Sequence, residues 1–206
     1  NYLAVHCTVE ATLVEAPDDD DVLLKRLIGE HEPAYAQQWR DLGEEFPTAR
    51  DWVTGLGLMV IFTDQPKPEF RPFALQLVRR CEMALANYGH GRTALKDLVS
   101  GNRGRWSPYY RALSYFEGAV AQLYQAYIHM HKLLGTPLFR KNDGTPLQRL
   151  NHIYNVSKHE TPAEEDTVWI TNTGLGTKEA AISFGEVEDL MRVCARIAKR
   201  LSSTDA

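Results

Sequence analysis

Arg149, His152, Asn155 and His159 follow one another at intervals of three, three and four residues. At about 100° per residue, that spacing puts all four on one side of a helix. A histidine can exchange a proton near neutral pH, and an arginine fork can hold a phosphate through two parallel hydrogen bonds. RNA supplies its own nucleophile, the 2′-hydroxyl, so cleavage at such a face needs no metal. The same face could also be solvated, or make caps and contacts between helices. The residues leave both readings open.

Other chemistries lack their residues. There is no Gly-x-Ser-x-Gly elbow for a serine hydrolase and no glycine-rich loop with Lys-Ser/Thr for a nucleotide phosphate. Cys81 and Cys194 fall on apolar helix faces, where a cysteine packs as a small hydrophobe. His129 and His131 would sit about 200° apart on a helix and cannot share an ion. His152 and His159 are two turns apart, and no His-Glu-x-x-His or Glu-x-x-His pair occurs. The run Asp18–Asp21 after Pro17 reads as a helix start, because carboxylates suit the positive end of a helix dipole. It does not read as a metal site, because adjacent side chains fan out and cannot converge on one ion. No metal and no cofactor is expected.

The candidate face needs a scaffold. Tyr109, Leu113, Phe116, Val120, Leu123, Tyr127, Met130 and Leu134 alternate in steps of four and three, a helical stripe with Ala112, Ala119 and Ala126 beside it. Ser107 and Pro108 suit its start, and Gly135 and Pro137 its end. This predicts a helix over Pro108–Leu134, about 40 Å long. A second helix is predicted over Pro146–His159, opened by a capping box at Thr145 and Gln148. Its other side carries Leu147, Leu150, Ile153, Tyr154 and Ser157. The two are expected to run antiparallel as the organising hairpin. Glu117, at the edge of the long stripe beside Tyr124 and Ile128, would then come near Lys158 and His159 and pair with one of them. Such a carboxylate would raise the imidazole's pKa.

Further helices are expected at about 18–30, 33–45 and 49–62, although Leu58–Phe62 alone could be a strand. Gln65–Pro68 reads as a loop, Pro72–Asn87 as a helix ended by Gly89 and Gly91, and Arg92–Val99 as a short helix before a flexible loop. A β-hairpin is predicted over 166–184, with turn formers at 172–177. Ser183 and Glu186 then open a C-terminal helix over 185–202. The expected fold is mainly α, a single helical domain over 1–206 organised on the hairpin at 108–159.

The chain has 206 residues, a net charge of −4, and 44% hydrophobic and 24% charged residues. These values are ordinary for a globular protein and predict no global attraction to nucleic acid. Residues 10–51 hold twelve acidic and four basic side chains, a local net of −8 that reads as solvated surface. Residues 92–111 hold five basic and one acidic, a local net of +4. That patch reads either as solvated surface or as an RNA contact through Arg103 and Arg105. No stretch approaches the roughly 18 apolar residues of a membrane span, and no signal peptide is visible. Cys7, Cys81 and Cys194 are odd in number and far apart, which suits reduced thiols in a cytoplasm. The chain does not begin with Met, so its true start is left open, as is the fold of residues 1–16.

Tyr154-Asn155-Val156-Ser157-Lys158-His159, late in a helix that follows a long one, resembles the signature of the HEPN superfamily. That signature is an Arg, four to six residues, then a His, often with Asn directly after the Arg. Asn155 and His159 match the Asn and His. Tyr154 stands at the Arg position, and Arg149 lies ten residues before His159 on the same face. The resemblance covers about residues 100–160. It implies an all-α domain of a prokaryotic defence or stress system, such as a toxin–antitoxin or antiphage system, that binds or cleaves RNA without a metal. His159, Arg149 and Asn155 would be catalytic, with His152, Lys158, Tyr154 and Glu117 in support. Members commonly pair with their motifs facing, so a homodimer or a helical partner on the hairpin is expected. The superfamily also has non-catalytic members that act as scaffolds or partner-binding modules. That alternative stays open, as does a ligand-sensing pocket between the long helices.

Overall fold

The structure, a computed structural model, describes residues 41–100, 106–140, 142–158, 167–171 and 173–203. The expected helix at 18–30 and most of the one at 33–45 lie outside them. Helix α1 is Leu42–Glu45, capped by the Asp41 carboxylate, which accepts from the Gly43 N–H at 2.9 Å. A 3-10 turn at Ala49–Asp51 leads into α2, Trp52–Thr63, so the Leu58–Phe62 run is helical. A second 3-10 turn, Pro68–Phe70, precedes α3, Arg71–Ser100, and α4 follows as Trp106–Leu134. Helix α5 is Pro146–Lys158. Strands β1 (Trp169–Ile170), β2 (Gly174–Gly176) and β3 (Ala181–Ser183) lead into α6, Phe184–Ser202.

The fold is mainly helical and is organised on an antiparallel helical hairpin, but the arms of that hairpin are α3 and α4. Arg80 Nη1 donates to Gln122 Oε1 at 2.8 Å, and Phe73 faces His129 at 6.4 Å. Farther along, toward the connection between them, the helices approach closely at two glycines. A Cβ on Gly91 would lie 2.9 Å from the Phe116 ring, and one on Gly118 would lie 2.9 Å from the Asn87 amide. Gly89 and Gly91 therefore do not end a helix, and α3 runs unbroken through both. Gly91 is needed where the neighbouring ring is close, and tertiary packing overrides the weak propensity of glycine. Helix α5 packs on α4 through a smaller contact, with Leu147, Leu150 and Ile153 buried.

Most of the stripe on α4 is buried within this chain, with Leu113 and Met130 half-buried and Leu134 56% exposed at the end. Ala112, Phe116, Ala119, Val120, Leu123 and Ala126 are fully covered. Helix α6 lies against α2 and α3 and buries Val187, Met191, Cys194, Ala195 and Ala198. Its start has the predicted capping box: the Ser183 hydroxyl accepts from Glu186 N–H at 3.2 Å, and Glu186 Oε2 accepts from Ser183 N–H at 3.0 Å. Deeper in, the Tyr88 hydroxyl donates to Glu188 at 2.9 Å, and Arg192 pairs with Glu188, Asp189 and Glu45. A buried carboxylate is tolerable when it is paired in this way.

The sheet has three antiparallel strands in the order β1-β2-β3, with Trp169 opposite Gly176 and Leu175 opposite Ile182. The middle strand comes from the stretch that composition assigns to a turn. Its glycines serve close packing, since a Cβ on Gly174 would collide with the Ile182 carbonyl, and one on Gly176 would press on the Trp169 indole. Among the described residues, no helix is long and apolar enough to cross a membrane.

Candidate functional site

Helix α5 positions the candidate side chains. Its start is built by Asp143, whose carboxylate accepts from the N–H groups of Arg140 and Thr145 and from the Thr145 hydroxyl. The Thr145 hydroxyl accepts from Gln148 N–H at 3.3 Å. The Gln148 side chain reaches past Thr145 to accept from Gly144 N–H at 2.6 Å, so the capping box is displaced by one residue. Asn142 and Gly144 take the left-handed conformation that this turn requires.

One turn on, Arg149 crosses to the sheet and to α6. Its Nη2 donates to Glu186 Oε1 at 2.6 Å and its Nη1 donates to the Ala181 carbonyl at 3.0 Å. Burial alone would raise the Glu186 carboxyl. The Ser183 N–H, the Arg149 fork and the Ser183 hydroxyl outweigh burial and hold it below its usual range. Both terminal nitrogens of Arg149 are therefore engaged inside the protein, where the sequence suggests a phosphate clamp. His152, half-buried, lies 3.9 Å from Glu179 on the same side.

The other residues of the motif diverge from that pair. Tyr154 packs its ring on Tyr124 at 5.0 Å, and its hydroxyl accepts from Gln125 Nε2 at 3.0 Å. Asn155 is exposed, with a long hydrogen bond to Asn151 at 3.4 Å. Lys158 is exposed and holds its ammonium over the Tyr154 ring at 6.0 Å. His159, Arg103 and Arg105 lie outside the described residues.

Glu117 is half-buried on α4, and burial raises its pKa. Among the described residues no cation pairs with it, so the expected Lys158 partner is not used. The Lys158 ammonium sits over the Tyr154 ring instead, 6.0 Å from its centre. The His159 half of that expectation lies outside the described residues.

Arg92 belongs to the basic stretch 92–111, yet it is only 6% exposed, and its Nη1 pairs with Asp41 at 2.9 Å. The signal was its place on the buried face of α3, one turn from Tyr88 and one from Leu95. A cavity of about 560 Å³ opens beside this pair, between α3 and the segment after α1. Asp41, Phe46, Glu82, Met83, Gly89 and His90 are among its walls. Glu82 caps α2 from the side by accepting from Val53 N–H at 2.7 Å, and burial raises its pKa against that bond. The cavity does not lie between the two long helices, where the ligand-sensing alternative places its pocket.

Among the described residues, no three His, Cys, Asp or Glu side chains gather as metal ligands. Burial pushes the Cys81 thiol up to about 12, with the neighbouring Glu82 charge adding to it, and raises Cys194 as well. Neither is a ready nucleophile. Comparisons with family models, with curated proteins and with solved structures find no match to this chain.

Proposed function

We propose that this protein is a helical protein-interaction module in which α5 is a structural element. One observation carries the reading: Tyr154, at the position of the motif's arginine, is stacked on Tyr124 and hydrogen-bonded by Gln125. It faces the bundle, so the position offers no cation to a phosphate. The engagement of Arg149 with Glu186 points the same way. The likeness of 154–159 to HEPN domains supports a module of the non-catalytic, partner-binding kind, acting in the cytoplasm and assembling as a homodimer or with a helical partner.

RNA binding or metal-independent cleavage is the second reading. It is favoured by the exposure of Asn155 and Lys158 at the end of α5, directly before His159. An RNA cleavage assay with the purified chain in EDTA separates the two. The module reading expects no cleavage. Cleavage that is lost in His159→Ala, with the fold intact, would overturn it.

A further inference from the structure

Helix α2 carries no charged residue between Asp51 and Asp64. Its inner face is used: Trp52, Leu56 and Met59 are buried against α3 and α6. Its outer face is also apolar, with Leu58 49%, Ile61 73% and Phe62 77% exposed. A helix that is apolar all round is normally covered all round. Exposed apolar side chains clustered on one helix mark a contact surface, unlike the scattered ones of an ordinary surface.

The outer face has a centre. Gly57 is exposed, and a Cβ built on it would meet nothing within 4 Å. A second helix could therefore approach the bare backbone there. Thr54, Gly57 and Ile61 follow helical spacing along this face, with Leu58 and Phe62 beside them. Asp51 borders the helix at its start, 3.7 Å from Arg50, and the charges in line with this outer face are Arg50 and Asp64, with side chains 86% and 96% exposed. Each lies seven residues from Gly57, one before and one after.

We infer that α2 pairs antiparallel with α2 of a second copy of this chain, across a two-fold axis at Gly57. An isologous contact must be complementary to itself. A two-fold axis at Gly57 sets Arg50 of each copy beside Asp64 of the other, so opposite charges meet at both ends of an uncharged seam. Leu58, Ile61 and Phe62 of the two copies then cover one another. Asp64 already accepts from Arg71 at 3.0 Å, and its exposure leaves room for a second donor. The inference deepens the interaction-module reading by naming the partner, and it uses a different face from the α4 stripe, most of which is buried within the chain.

The test is the mass of the full chain by sedimentation over low to tens of micromolar, with circular dichroism confirming the fold of each variant. Wild type should be a dimer at the upper end. Phe62→Glu should weaken the dimer at least about thirty-fold, as expected for a buried interface anchor. Gly57→Leu, which adds bulk only outside the monomer, should do the same and serves if Phe62→Glu fails to fold. Arg50→Glu and Asp64→Lys should each weaken pairing, and the double exchange should restore it in part. A wild-type monomer, a dimer indifferent to Phe62→Glu and Gly57→Leu, or a double exchange without rescue would each overturn the inference. The first result, a wild-type monomer, would point to another occupant, such as residues 1–40 or a different protein. A monomer that also cleaves no RNA leaves the module reading standing, whereas RNA cleavage strikes that reading alone.

Discussion

Arg149 and Glu186 meet at 2.6 Å across 37 residues of sequence. The same guanidinium bonds the Ala181 carbonyl, and the same carboxylate closes the capping box of α6. One ion pair thus ties α5, β3 and the start of α6 together. Each partner is about one-third exposed, so the pair is neither a screened surface contact nor a costly buried one.

Arg149→Met should therefore destabilise the fold by about 1–2 kcal/mol, a fall in melting temperature of roughly 3–6 °C for a chain of this size. The pH dependence has a definite sign. The folded carboxyl of Glu186 lies below its ordinary value of 4.5, so its contribution is present above that pH and is lost as pH falls below it. The gap between wild type and Arg149→Met should be widest near neutrality and should close below about pH 4.5. Thermal melts across pH check this, and a gap that widens in acid would contradict it.

Glu117 should behave in the opposite way. Burial raises its folded pKa above 4.5, so the charged form opposes folding at neutral pH and protonation relieves it as pH falls. Glu117→Gln should raise the melting temperature at pH 7, with the gain shrinking as the pH approaches 4.5. A loss of stability at pH 7 would mean that the carboxylate has a stabilising partner.

Two glycines two residues apart in α3 should respond with opposite signs. Gly91→Ala places a methyl within 3.1 Å of three atoms of the buried Phe116 ring and should cost about 1–3 kcal/mol. Gly89→Ala meets nothing within 4 Å and should gain about 0.5–1 kcal/mol by restricting the unfolded chain. Denaturant unfolding measures both, and equal effects would refute the crossing geometry.

Local signals in the sequence determined much of this protein. The alternation of fours and threes over Tyr109–Leu134 required a long helix, and the helix is there. Ser183 and Glu186 marked the start of α6 because capping is a contact between near neighbours. Leu147, Leu150 and Ile153 were legible as the inner face of α5 for the same reason. Which helices pair was decided by contacts far apart in the chain. Helix α4 chose α3 because Gly91 and Gly118 allow closer approach there, and no local pattern states that a glycine faces a ring 25 residues away. The candidate site divided along the same line. Periodicity put Arg149, His152 and Asn155 on one face, but Glu186, the Ala181 carbonyl and Tyr124 took Arg149 and Tyr154 into the structure and left Asn155 in solvent. A charged side chain's partner depends on what the fold brings beside it, and spacing along one helix carries no information about the neighbouring element.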